Sequence, residues 1–323
     1  MPDRQILTQI SPRAWEHPAD RAALNTLRAL PGFDEVLRKA LSVLGEKGIR
    51  QIFLANAVKV GPTQRPALDA MYAEVLATLD APMRYELYVA QHYEANAFCI
   101  GFDKPFIVVN SQMIELLEPE ERRAVLAHEV GHAMSGHAVY TTLALLFLLV
   151  GTRFLPWLAG IAILPVELAL FEWYRKAEFS ADRAALLGSQ DPRAAMSLFL
   201  KLAGGLRYDD QIDLDAFLVQ AAEYETQGDI TDNVWKILNT AFRTHPFATV
   251  RAAELQRWIG TGEYDRILRG EYMRRGQEPR PLGEDYADAG EYYRRQAKSA
   301  VDAVNDVINR ARDAFNDRRT RRE

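Results

Sequence analysis

Disulfide chemistry is the first thing this chain lacks. Its one cysteine, Cys99, excludes an intramolecular bridge, which fits a reducing compartment. That thiol lies in an apolar run and reads as a small core residue rather than a nucleophile. A charge excess is missing too. A formal net charge of -5 and a pI near 5.8 give no reason to expect a nucleic-acid partner. The basic cluster Arg318, Arg319, Arg321 and Arg322 follows interleaved acidic residues and reads as a solvated tail. Residues 1–20 contain no apolar stretch of the signal-peptide kind, so the chain is expected to start in the cytoplasm.

What is present is the composition of a folded protein. With 323 residues, 48% of them hydrophobic and 26% charged, the chain can bury a substantial core. Residues 12–44 read as helical, with Asp20 as a cap and Ala23, Leu24, Leu27 and Leu30 forming an apolar stripe before Pro31-Gly32. Residues 67–79 read as another helix. Strands are expected at 51–58, 85–91, 96–100 and 106–109, the last two joined as a hairpin. From Glu118 onward the pattern is helical. Pro119, Glu120 and Glu121 suit a first turn, and the helix is expected to run on through AVLAHEVGHAMSGH. In it Gly131 and Gly136 are weak points that a close neighbour would explain. Residues 138–171 are almost wholly apolar and divide into two arms around GTRFLPWLAG. The returning helix is expected to stop at Gly188. The predicted fold is mostly helical α+β, a small sheet against helices with a long hydrophobic helical hairpin at 138–171. Three regions are expected: a helical one at 1–80, a catalytic domain at 81–272, and a linker with an amphipathic helix at 273–323.

The chemistry concentrates in His128-Glu129-Val130-Gly131-His132. Residues four apart share a helix face, so both imidazoles can address one ion. Glu129, one step round, can reach a water at that ion without competing as a ligand, which is what metal-assisted hydrolysis requires. A catalytic zinc needs a third protein ligand and an open fourth position, and two residues compete for the place. His137 follows the second histidine by five residues, whereas the metzincin pattern sets Gly at three and His at six, so His137 reads better as a helix-surface residue or a partner behind a ligand. Glu178, on the returning arm of the hairpin, would complete a His2Glu site. Asp182, four residues on, could accept a ring N–H from a ligating histidine.

HEVGH, followed after an apolar insertion by RKAEFSADRAAL, resembles the HtpX and CAAX-prenyl-protease family of gluzincin peptidases. That family's HExxH and ExxxD match His128, Glu129, His132, Glu178 and Asp182. NAFCIG, PFIVVNSQMIELL and EERRAVLAHEVGH resemble its strand, connecting helix and active-site helix. THPFATVRAAEL resembles its His-Pro signature, with His245, Pro246 and Arg251. The likeness covers about residues 85–255 and implies a zincin-like fold, a small sheet packed on the HExxH helix. It further implies an endopeptidase with one Zn2+ per chain on His128, His132 and Glu178. Glu129 would be the general base and His245 would stabilise the oxyanion, with Asn96, Ala97 and Arg251 contacting substrate. The protein or peptide substrate would bind as a strand added along residues 96–101. Prenylated-protein specificity does not carry over, because nothing in the sequence encodes a prenyl site.

Residues 138–150 would reach only ~20 Å as a helix against a ~30 Å hydrocarbon core, and the mean hydropathy of -0.20 argues against several spans. HtpX-like relatives do carry spans between their two metal motifs, so membrane association through 138–171 is expected. Arg122, Arg123, Arg175 and Lys176 would hold the site on the cytoplasmic side, and a soluble cytoplasmic protein is the alternative. The alternative function is a catalytically inactive peptide-binding or membrane scaffold protein of the same fold.

Overall fold

A computed structural model describes residues 4–150, 163–205, 213–226 and 246–277. Among them, α1 (Pro18–Arg28) and α2 (Phe33–Asn56) lead to the short strand β1 (Ala57–Lys59) and then α3 (Pro66–Thr78). Strands β2 (Glu86–Ala90), β3 (Ala97–Ile100) and β4 (Phe106–Asn110) follow, and then α4 (Ser111–Leu116), α5 (Pro119–Met134) and α6 (Ala138–Val150). The remainder is α7 (Ile163–Ser189), α8 (Pro192–Gly204), α9 (Leu214–Thr226), α10 (Ala248–Gly260) and α11 (Glu263–Leu268). The result is a mostly helical α+β fold with a small mixed sheet.

The sheet runs in the order β1-β2-β4-β3. β2 and β4 are parallel, while β1 and β3 flank them antiparallel, with Ala97 opposite Val109 and Ile100 opposite Phe106. β4 is buried along its whole length, as its unbroken apolar run requires, and β3 is an outer strand among the described residues. The expected strand at 51–58 is a correction. Helix α2 runs through Asn56, and only residues 57 and 58 of that window join β1. Neither Pro nor Gly interrupts 51–56, and each residue added to a helix already under way gains a hydrogen bond at little further entropy.

Helix α5 starts as its sequence dictates. Glu118 and Glu121 form a reciprocal capping box around Pro119, and Ser197 and Lys201 of α8 both donate to the Glu121 carboxylate. Its end is not where the sequence suggested. The helix stops at Met134, because Gly136 adopts the left-handed conformation (φ 72°). The N–H of His137 then reaches back to the His132 carbonyl at 3.0 Å and that of Gly136 to Ala133 at 3.3 Å, a Schellman turn that starts α6 in a new direction.

Gly131 and Gly188 serve a different purpose. A Cβ on Gly131 would lie 2.5 Å from the Ala184 Cβ, and one on Gly188 would lie 2.3 Å from the Ala127 Cβ. Both glycines let α5 and α7 touch backbone to backbone. Helix α7 accordingly continues past Gly188 to Ser189, and the left-handed residue that follows is Gln190 (φ 51°).

Two apolar clusters share α7. The larger joins the inner face of the sheet (Leu87, Cys99, Ile107) to α5 (Val125, Leu126, Val130) and includes Leu7, Ile10 and Trp15. The second joins Leu27 of α1 and Phe33 and Val36 of α2 to Leu143 and Phe147 of α6 and Leu170, Phe171 and Trp173 of α7. This corrects the long apolar hairpin expected at 138–171. The two arms are separate helices packed beneath α1 and α2, and their connection lies outside the described residues. Among the described residues no helix is long and apolar enough to cross a membrane. The amphipathic helix expected near the C-terminus also lies outside them. Residues 273–275 pair with the N-terminal segment, through Ser11 N–H to Met273 O and Arg275 N–H to Gln9 O.

Candidate metal centre

The glycine contacts between α5 and α7 bring the HEVGH face of one helix against Glu178 of the other. All three expected ligands are buried. His128 Nε2 and His132 Nε2 stand 3.1 Å apart, Glu178 Oε1 is 3.3 Å from His132 Nε2, and Glu178 Oε2 is 3.5 Å from His128 Nε2. One donor atom from each residue falls within 4.8 Å of the others. A tetrahedral ion with bonds of about 2.0–2.1 Å separates its ligands by roughly 3.3–3.4 Å, so these spacings fit such a site. Two lone-pair nitrogens and a carboxylate converging on one buried point form the donor set of a divalent cation.

The electrostatics agree. Burial pushes the His132 imidazolium down to about 4, leaving a neutral ring. Burial also opposes charge on His128, but the Asp182 and Glu178 carboxylates outweigh it and raise its pKa to about 10. A ligating histidine must be neutral, so a divalent ion would have to displace that proton. Glu129 is buried beside the pair, and its Oε2 has no hydrogen-bond partner among the described residues. Burial lifts its pKa to about 7, with Glu178 adding to the rise and His128 opposing it.

Behind His128 is a carboxylate. Its Nδ1 lies 3.1 Å from Asp182 Oδ1, and Asp182 is gripped by the Arg251 fork, Nε to Oδ2 at 2.8 Å and Nη2 to Oδ1 at 2.5 Å. Arg251 Nη1 also lies 3.2 Å from Glu178 Oε2. The resemblance places Arg251 against substrate, whereas the structure turns it inward, buried, with its guanidinium over the Phe199 ring.

Behind His132 is a second imidazole. His132 Nδ1 is 2.9 Å from His137 Nδ1, and His137 Nε2 is 3.2 Å from Asp20 Oδ2. Asp20 accepts from Trp173 Nε1 at 2.9 Å and from Ser180 Oγ at 2.6 Å. Sequence reasoning missed Asp20, taking it for a cap. The cap of α1 is His17, whose Nδ1 accepts the Ala19 N–H at 3.1 Å. A signal was available: Asp20 falls three, four and seven residues before Ala23, Leu24 and Leu27, a carboxylate on the apolar stripe itself.

The expected substrate-strand residues are at the start of β3. Asn96 uses its side-chain oxygen to accept the Ala97 N–H and its carbonyl to accept the Asn110 N–H, both at 2.9 Å. His245 lies outside the described residues.

The model of peptidase family M48 matches residues 62–259. The chain belongs to that family. Its relatives include the plastoglobule-localized metallopeptidase 48, chloroplastic, of Arabidopsis thaliana, 36% identical over 262 residues, which cover 79% of this chain and 75% of the relative. Protease HtpX homolog 2 of Methanosarcina mazei is 25% identical over 238 residues, 64% of this chain and 77% of its own. Protease HtpX of Acinetobacter baylyi is 29% identical over 206 residues, 53% and 64% respectively. No solved structure matches the chain. As an M48 member the protein is a metallopeptidase, a hydrolase of peptide or protein substrates, and the family implies a metal. The M48 match is wider on both sides than the stretch over which the sequence resembles HtpX.

Proposed function

We propose that the protein is a zinc-dependent endopeptidase, with one Zn2+ per chain on His128, His132 and Glu178. The convergence of their donor atoms at 3.1–3.5 Å carries this assignment. Zinc, when bound, supplies Lewis acidity that makes water nucleophilic near neutral pH and polarises a scissile carbonyl. Glu129 accepts the proton of the attacking water and delivers it to the leaving amine. Its buried, unpartnered Oε2 is suited to both transfers. Asp182 orients the His128 ring, and Arg251 fixes the Asp182 and Glu178 carboxylates. Substrate adds to the outer edge of β3 from Asn96 and Ala97, in register with the sheet. His245 is assigned to the oxyanion on the His-Pro signature alone.

Residues 81–272 form the catalytic unit in this proposal, flanked by 1–80 and 273–323. Residues 138–171 attach the protein to a membrane with the site on the cytoplasmic side, where it serves membrane-protein quality control. The plastoglobule location in one relative's name supports the attachment. Nucleic acid is not a partner, given the net charge of -5.

The test is cleavage of casein by the zinc-loaded protein and by Glu129→Gln, with zinc content assayed in both. The variant is expected to keep its zinc and to lose activity by about 10²–10⁴-fold. If neither protein holds zinc, the assignment fails.

A further inference from the structure

Among the described residues, catalysis by Glu129 leaves unused the chain of groups behind His132. We infer that His137 and Asp20 are positioning residues for His132, so that the metal centre extends into the N-terminal helix α1. This rests on the metal-site assignment above, and it concerns a residue that family membership does not cover, since Asp20 precedes the matched residues 62–259.

A metal ion on His132 would set the direction of every hydrogen bond behind it. His132 turns Nε2 toward the point shared with Glu178 and His128, so with a metal ion held there its hydrogen would lie on Nδ1. The partner of that hydrogen is His137 Nδ1, at 2.9 Å, which must accept it. His137 therefore carries its own hydrogen on Nε2 and donates toward Asp20 Oδ2 at 3.2 Å. Asp20 can only accept, and its other partners can only donate. Trp173 contributes an indole N–H, and Ser180 Oγ already takes the His17 backbone N–H at 2.8 Å and so gives its hydrogen to Asp20. The sequence of donors runs unbroken from the metal ligand to a carboxylate on α1.

Geometry holds the intermediate ring in place. His137 is buried, and the Trp173 indole meets it edge-on at 5.5 Å. The Schellman turn at Gly136 joins the His137 N–H to the His132 carbonyl at 3.0 Å, so backbone and side chain of His137 both address His132. A partner behind a ligating histidine fixes its tautomer and ring plane and raises its basicity.

The experiment titrates zinc against a competing chelator, and records the visible absorption of the Co2+-substituted protein, for wild type, His137→Leu, His137→Gln and Asp20→Asn. His137→Leu, which can neither accept nor donate, is expected to bind zinc about 10–100-fold more weakly, with a shifted cobalt spectrum. Glutamine can accept from His132 and donate to Asp20, so His137→Gln should lose less than about tenfold. Asp20→Asn should weaken binding by about tenfold, and it decides the matter if His137→Leu does not fold. Affinities within about twofold of wild type, with an unchanged cobalt spectrum, would overturn the inference even if the melting temperature fell. Failure of the wild type itself to take up zinc or cobalt would overturn the metal-site assignment, and this inference with it.

Discussion

The two histidines of the HEVGH motif are held from opposite sides by different means. His128 leans directly on the Asp182 carboxylate, which Arg251 grips in a two-pronged fork, and all of these groups come from α5, α7 and α10. His132 leans on His137, and only beyond that ring does a carboxylate, Asp20, appear. Charge explains the difference. Glu178 and Asp182 already place two negative groups beside the donor cluster, with Arg251 offsetting one of them. A third carboxylate in direct contact would over-neutralise a divalent ion and weaken it as a Lewis acid. An imidazole between moves that charge outward, where Coulomb interaction falls with distance. One side of the site is therefore a compact charged lock, and the other a longer relay that ends in a carboxylate.

Breaking the lock should have the largest effect. Arg251→Met leaves Asp182 and Glu178 buried without their cation, and is expected to lower stability by about 3–5 kcal/mol in denaturant titration. The relay side has its own weak point in acid. His17, the cap of α1, is held neutral because burial, with Arg183 adding to it, lowers its pKa to about 4 from 6.5. A folded-state pKa below the unfolded one means stability that is full above pH 6.5 and lost as pH falls toward 4. The loss should approach about 3 kcal/mol, read as a falling denaturation midpoint across that window, and His17→Asn, which keeps a cap without the titration, should flatten it. Next, Asp182→Asn and Asp20→Asn set the two sides against each other. The direct contact should matter more, with about 100-fold weaker zinc binding for Asp182→Asn. Equal losses would mean that the intervening imidazole transmits the full influence of its carboxylate. The smallest effect is expected for Gly136→Ala, about 1 kcal/mol of backbone strain at a left-handed position with open space around it.

The lock was legible in the sequence to the extent that it is helical. His128 and His132 are four apart, and so are Glu178 and Asp182, and that period is the one a helix imposes. Strands β3 and β4 were legible as apolar runs around a turn. Arg251 was identifiable as a residue but not as a contact, since residue type does not say which way a side chain faces. Of the relay, His137 was legible as a partner behind a ligand, while Asp20 stayed hidden because it lies 117 positions away with no shared motif, and because Asp also favours a helix's first turn, which gave it a sufficient local explanation. Gly136 reads in the sequence as a weak point awaiting a close neighbour and Gly188 as a helix stop, and the structure exchanges the two roles. Which of the two turned the chain, and which let another helix approach, depended on neighbours distant in sequence.

The scattering of these groups along the chain has a bearing on synthesis. A ribosome delivers Asp20 first, then His128, His132 and His137, then Trp173, Glu178, Ser180 and Asp182, and Arg251 last. At roughly 5–20 residues per second, about ten seconds or more separate the emergence of residue 20 from that of residue 251. From the emergence of His132 until that of Arg251 the nascent chain has both HEVGH imidazoles but not the guanidinium that will compensate its buried carboxylates. The metal centre is therefore complete only once α10 has been made, well after the HEVGH helix.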